Sequence, residues 1–140
     1  MCRRAIEPRR GFWTLPAGYF EHGETLEEGT AREAWEEVQA EITLDGVLGL
    51  FSIGRIGQVQ VIFRACFTTP EAPRFAAGPE SLEVALFPWS HIPRGEIAFP
   101  SVGWALDAWP RLGDGPVGVA AGPGDPRGTW QPPGASGALP

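Results

Sequence analysis

Residues 18–40 read Gly18-Tyr-Phe-Glu-His-Gly-Glu24-Thr25-Leu-Glu-Glu28-Gly-Thr-Ala31-Arg32-Glu33-Ala34-Trp35-Glu36-Glu37-Val38-Gln39-Ala40. The stretch predicts a turn followed by a helix from Thr25 to Ala40. Thr25 with Glu28 three residues later forms a capping box, in which each side chain satisfies an orphan amide of the first turn. With Glu33 at 0°, a helical step of about 100° puts Glu36 near 300° and Glu37 near 40°. Three carboxylates then share one arc. Ala31, Ala34, Trp35 and Val38 fall on the side that can pack against a sheet. Like charges at these spacings repel by a few tenths of a kcal/mol, roughly, per pair. A divalent cation reverses that sign, and hard oxygen donors suit Mg²⁺ or Mn²⁺. A glutamate-rich face is also an ordinary solvated surface, and the helix alone leaves both readings open. The preceding Leu15-Pro16-Ala17-Gly18 is a strand end with a breaker, and glycine lets a ligand approach the backbone closely.

Outward from this stretch, the charge is uneven. Eight of the 17 acidic residues lie between Glu21 and Glu41, against Arg32 as the one basic residue there. Arg3, Arg4, Arg9 and Arg10 are four of the eleven basic residues, and there is no lysine. The net charge of −6 argues against general nucleic-acid binding. The chain has 140 residues, 43% hydrophobic and 20% charged, enough for one domain with a core and against disorder throughout. Cys2 and Cys66 make neither a disulfide framework nor a paired-cysteine zinc site, and they suit a reducing, cytoplasmic setting. No apolar run reaches the ~20 residues of a membrane span.

Further strands are expected at Phe12–Leu15, at Ile42–Phe51 with a bend at Gly46 and Gly49, at Gln58–Thr68 and at Leu82–Trp89. In the third, Val59, Val61, Phe63, Ala65 and Phe67 alternate with Gln60, Arg64 and Cys66. Glu71–Glu80 reads as a loop. Phe99, Val102, Leu106 and Trp109 have the spacing of an amphipathic helix. Few crossover units and this order favour an α+β fold with a mixed or antiparallel sheet. Residues 111–140 hold eight glycines and six prolines, so residues 1–110 are expected to form the domain and 111–140 a flexible tail.

Gly18, Glu24, Arg32-Glu33-Ala34-Trp35-Glu36-Glu37-Val38 and Ala40 resemble the Nudix box, G-x5-E-x7-R-E-U-x-E-E-x-G-U with U apolar. One position departs, Gln39 standing where the pattern has its last glycine. The resemblance extends over about residues 2–109. The segments Cys2–Pro8, Gly11–Gly18, Glu80–Glu83 and Ile97–Ser101 are similar to a Nudix branch associated with FAD and ADP-ribose. It implies an α/β/α sandwich with a mixed sheet. Members usually have a strand before the Arg3-Arg4 segment and often an N-terminal zinc ribbon; neither is read here, so either the start is assigned too late or the fold is shortened, with an open sheet edge expected.

The resemblance further implies Mg²⁺-dependent hydrolysis of a nucleoside diphosphate linked to another group, by water attack at phosphorus. Glu33, Glu36 and Glu37 would hold the metal with a carbonyl near Gly18. Glu24 and Arg32 would form a supporting ion pair. The general base is a glutamate of the box or of a later loop, Glu80 or Glu83; a plain exposed role for these two stands equally. Arg3, Arg4 and Arg9 match phosphate geometry, against a reading as surface charge. Phe12 and Trp13 suit ring stacking, against a reading as core. His22 reads as a loop hydrogen-bonder, His91 has no visible partner, and Cys66 reads as inert packing. The partner expected is a small nucleotide, with no nucleic acid or membrane, and with homodimers common in the family. A nucleotide-binding module without hydrolysis and a non-functional fragment are the competing readings.

Overall fold

A computed structural model describes residues 1–112 and 120–121. The order is β1 (Cys2–Arg4), β2 (Trp13–Thr14), α1 (Leu26–Val38), β3 (Ile42–Ile53), β4 (Gln58–Phe67), β5 (Ser81–Val84), α2 (Pro100–Leu112) and β6 (Ala120–Ala121). The fold is α+β, as expected. One antiparallel sheet has the order β2-β1-β5, and a mixed sheet has the order β4-β3-β6, with β6 parallel to β3. No strand is predicted at Cys2-Arg3-Arg4, yet this segment is the middle strand of its sheet. Apart from Arg111, Leu112 and β6, the expected tail 111–140 lies outside the described residues.

The capping box forms as read. Thr25 Oγ1 accepts from the Glu28 amide at 3.2 Å, and the Glu28 carboxylate accepts from the Thr25 amide at 2.7 Å. α1 ends at Gln39 in a left-handed conformation (φ 48°, ψ 36°), the conformation for which a glycine is favoured. The departure from the family pattern therefore leaves the helix end in place and puts a non-glycine residue under backbone strain.

Ala34 and Val38 of α1 are buried, but Trp35 is 54% exposed; the apolar arc is narrower than the angular count suggests. Val38 packs with Cys2 and Ala40, flanked by Ile42, Phe67, Phe75 and Val84. On another part of β3, Leu48 and Phe51 pack with Ala105 and Ala108 of α2.

β3 runs unbroken to Ile53, two residues beyond the expected end, and its bend takes the form of two register shifts against β4, at Leu44/Gly46 and Val47/Gly49. Gly46 has φ 130°, which a side-chain-bearing residue rarely adopts. The shifts also upset the simple alternation read for β4: Ile62 packs on the Leu48 cluster, while Val59 is 64% exposed. Cys66 faces solvent and is not packing. β5 is shorter than expected. Pro88 has no ladder donor, Phe87 turns edge-on to Trp13 at 4.9 Å, and Trp89–His91 forms a 3₁₀ turn. In α2, Val102 and Leu106 are buried as the spacing predicts, and Trp109 is exposed.

Candidate active site

α1 presents its carboxylates beside the turn that precedes it. Arg32 organises them. Its Nε and Nη2 donate to the two Glu24 oxygens at 3.1 and 2.9 Å, the bidentate geometry that arginine favours. Nη2 also donates to the Tyr19 carbonyl at 3.1 Å. Nη1 donates to Glu33 Oε1 at 2.7 Å and to Glu36 Oε2 at 3.1 Å. The hydrogen bonds to Glu24 and then Glu33 push the guanidinium pKa further up. Glu24, which also accepts from the Glu21 amide at 2.8 Å, is held below its usual range, first by Arg32. The expected Glu24–Arg32 pair is therefore formed, and the same guanidinium ties the pair to two of the site carboxylates.

Gly18 lies against Glu33. A Cβ there would overlap the Glu33 carboxylate, so only a residue without a side chain lets the turn and the carboxylate come this close.

Glu37 points inward and is 6% exposed. Its Oε2 accepts from the Ala17 amide at 3.2 Å and from the Cys2 thiol at 3.6 Å. Burial, above all, pushes its carboxyl above the usual range, and the charges of Glu33 and Glu80 push the same way. Cys2 is buried, with its Sγ also 3.8 Å from the Thr14 carbonyl. Its thiol is pushed up to about 12, by burial first and then by Glu37. It therefore serves as a hydrogen-bond donor in the core rather than as a nucleophile.

The loop before β5 docks on the end of α1. Ala76 N donates to Val38 O at 2.9 Å and Gly78 N to Glu37 O at 3.0 Å. The Glu80 carbonyl accepts from Ala5 N at 2.8 Å, which ties it to β1. This docking brings the Glu80 charge into the field of Glu37. Glu83 goes elsewhere, 3.6 Å from Arg3.

The amino-terminal arginines make contacts of their own. Arg3 donates to the Gly11 carbonyl and to Glu96, both at 2.9 Å, and lies 5.4 Å from the Trp13 ring. Arg4 donates to the Pro8 carbonyl at 2.8 Å and lies over Phe99. Arg9 lies over Phe12. Trp13 is 5% exposed, enclosed by Phe87 and Arg3. His22 is exposed, and His91 Nδ1 is 3.2 Å from Ser90 Oγ.

The family model described as the NUDIX domain matches residues 1–104. The chain belongs to the Nudix family. A Nudix hydrolase from Nitrosomonas europaea is 40% identical, with a TM-score of 0.78 over 86% of this chain and 68% of that one. A MutT-like protein of Streptomyces ambofaciens is 41% identical over 54 residues, 39% of this chain. That match spans 35% of the relative's length. A MutT protein from Methanosarcina mazei Go1 (23% identity, TM-score 0.60, 79% of each chain) shares the fold. So does an ADP-ribose pyrophosphatase from Streptococcus suis 89-1591 (15% identity, TM-score 0.58, 79% of this chain and 81% of that one).

Hydrolases of the Nudix family generally need a divalent metal. Among the described residues no three histidine, cysteine, aspartate or glutamate side chains are already gathered into a ligand set, and Glu33 and Glu36 are both bonded to Arg32. The chemistry nevertheless fits a hard cation. The donors are carboxylate oxygens, the Gly18 backbone lies directly against the Glu33 carboxylate, and Glu37 sits in a negative field that a cation would offset.

Sequence reasoning missed Cys2 and Gly78. Cys2 gave no local signal of its reach to Glu37. Gly78, in a loop crowded with prolines, is distinguished only by the backbone packed against it.

Proposed function

We propose that this Nudix domain is a Mg²⁺- or Mn²⁺-dependent hydrolase that cleaves the pyrophosphate bond of a nucleoside diphosphate linked to another group, with FAD or ADP-ribose as the favoured substrates. The observation that carries this reading is the approach of Glu33 to Gly18 beside the buried Glu37, which lies in the field of Glu33 and of the exposed Glu80. Such a field costs stability unless a cation offsets it. Similarity of the flanking segments to the FAD and ADP-ribose branch supports the substrate class.

In this reading Glu33, Glu36 and Glu37 hold the metal with the Gly18 carbonyl. A bound divalent cation supplies charge neutralisation for the pyrophosphate and a more acidic water. Arg32 keeps Glu24, the Tyr19 carbonyl, Glu33 and Glu36 in register. Cys2 and the Ala17 amide orient the Glu37 carboxylate. Glu80 takes the proton of the attacking water on its carboxylate as the oxygen–phosphorus bond forms and the bond to the leaving phosphate breaks. Arg3, Arg4 and Arg9 contribute to substrate binding from the β1–β2 side, whereas Trp13, read from the sequence as a stacking candidate, is core. The free cysteines support a cytoplasmic setting, and the family resemblance supports a homodimer. Among the described residues no helix is long and apolar enough to cross a membrane.

The test is chromatography of products after incubation with FAD, ADP-ribose, NADH and a nucleoside triphosphate, with Mg²⁺ or chelator, beside Glu37→Gln. Two monophosphates from a dinucleotide, lost with chelator and in the variant, are the expected result. A folded protein that binds these compounds and cleaves none would instead be a binding module.

A further inference from the structure

Tyr19 is 79% exposed, the most exposed of the large hydrophobic side chains among the described residues. A scattered exposed aromatic is ordinary and needs no explanation. Tyr19 differs because it is held at both ends. Its carbonyl accepts from Arg32 Nη2 at 3.1 Å, and its hydroxyl oxygen accepts from Gln58 Nε2 at 2.7 Å. Gln58 is 39 residues away in sequence, at the first position of β4. The neighbouring Phe20 rests on α1, where a Cβ at Gly29 would lie 3.4 Å from its ring. One guanidinium thus joins the Tyr19 backbone to Glu33 and Glu36, while a second element fixes the far end of its ring. Trp13, in contrast, has its ring enclosed. An aromatic surface that is fixed before a ligand arrives loses little freedom when one stacks on it.

We infer that Tyr19 is the stacking platform for the purine base of the nucleoside diphosphate, and that Gln58 is the residue that positions it. The inference rests on the proposed pyrophosphatase reading for the class of ligand. It assigns base recognition to the turn that also carries Gly18, so the base and the phosphates are read from one segment. Base–aromatic stacking is sequence-tolerant, because every base has a π-face. The platform therefore favours substrates with an adenine over those that offer only a sugar.

The test uses 1,N6-etheno-ADP, whose fluorescence is quenched on stacking, with Mg²⁺ present, on the wild type, Tyr19→Leu, Tyr19→Phe and Gln58→Leu, each checked by its melting curve. Tyr19→Leu is expected to weaken binding about tenfold or more and to lose the quench, in keeping with the stacking contribution per base. Tyr19→Phe keeps the quench. Gln58→Leu falls between, with the same protein fold. With ADP-ribose the loss in Tyr19→Leu falls more on KM than on kcat. Binding and quench in Tyr19→Leu equal to the wild type would overturn the platform, as would a wild type that does not bind etheno-ADP. A wild type that cleaves no dinucleotide but binds etheno-ADP through Tyr19 would sink the hydrolase reading and leave the platform standing.

Discussion

Gly78→Ala is the substitution by which the seating of the β5 loop on α1 is best measured. A Cβ at Gly78 would overlap the carbonyl oxygen of Glu36 and lie 2.9 Å from its carbonyl carbon and 3.1 Å from that of Glu37. All three are backbone atoms at the end of a capped helix, so no side chain can swing away to make room. The loop has to part from α1. It then loses the bonds from Ala76 to Val38 and from Gly78 to Glu37, at about 1 kcal/mol each. Phe75, packed against the Cys2–Val38–Ala40 cluster and 6.0 Å from Phe67, gives up part of its burial, about another 1 kcal/mol. The expected loss is about 2–4 kcal/mol, at or just above the usual cost of overpacking. For a domain of this size that lowers the melting temperature by roughly 6–15 °C. Glu80 moves with the loop, so turnover of the dinucleotide falls even at a temperature where the variant stays folded. Gly95→Ala is the control, since a Cβ there meets nothing within 4 Å. Calorimetry and an activity assay on both variants decide the matter. A Gly78→Ala protein that melts and turns over like Gly95→Ala would refute the docking argument.

Three further outcomes are expected. Gln39→Gly relieves the left-handed strain at the end of α1 and raises stability by about 0.5–1 kcal/mol after the greater freedom of glycine in the unfolded chain is counted; a urea titration with no rise in midpoint would contradict this. Arg32→Lys keeps the charge but cannot span Glu24, Glu33, Glu36 and the Tyr19 carbonyl, so kcat/KM falls about 10–100-fold in steady-state kinetics, and near-wild-type turnover would show that the fork is dispensable. The Glu37 carboxyl is held above its ordinary 4.5, chiefly by burial, so its penalty on folding is absent below that pH and grows as pH rises through the folded-state value. Without metal, Glu37→Gln is therefore expected to melt higher than the wild type at pH 8 and level with it at pH 4, and the opposite order in thermal scans would sink the assignment.

The features legible in the sequence are those that a few consecutive residues decide. The Thr25–Glu28 box lies within one helical turn, where spacing fixes geometry, and the Glu24–Arg32 pair is what the resemblance to the Nudix box implied. α2 was legible from the positions of Val102 and Leu106 alone. What stayed hidden depends on contacts between distant segments. Cys2 meets Glu37 across 35 residues and Tyr19 meets Gln58 across 39, and no local pattern encodes either pairing. The exposure of Trp35 was lost for the same reason. An angular count places its side chain on the arc of Ala34 and Val38 but does not know how narrow the surface beneath that arc is. β5 was read too long because Leu86 and Phe87 look like strand residues, whereas Phe87 is drawn off to the ring of Trp13.

Stability and activity pull on the same residues of α1. Val38 and Ala34 anchor the helix in the core, and this anchoring carries Glu37, between them and the turn, out of water. Burial alone would favour a neutral carboxylic acid there. Two arrangements compete for the charge. In one, Arg32 gathers Glu24, Glu33 and Glu36 into an ion-pair network, while Glu37 accepts from the Ala17 amide and the Cys2 thiol. In the other, the one proposed above, a divalent cation would take Glu33, Glu36 and Glu37, and Arg32 would keep Glu24 and the Tyr19 carbonyl. The second arrangement satisfies the carboxylate that the first leaves short of positive charge. The Glu24 pair, bidentate at 2.9 and 3.1 Å, needs neither Glu33 nor Glu36, so it would hold the turn in place if those two turned to a metal. A site prepared in this way would need only side-chain movements to accept a metal, with the backbone already in position.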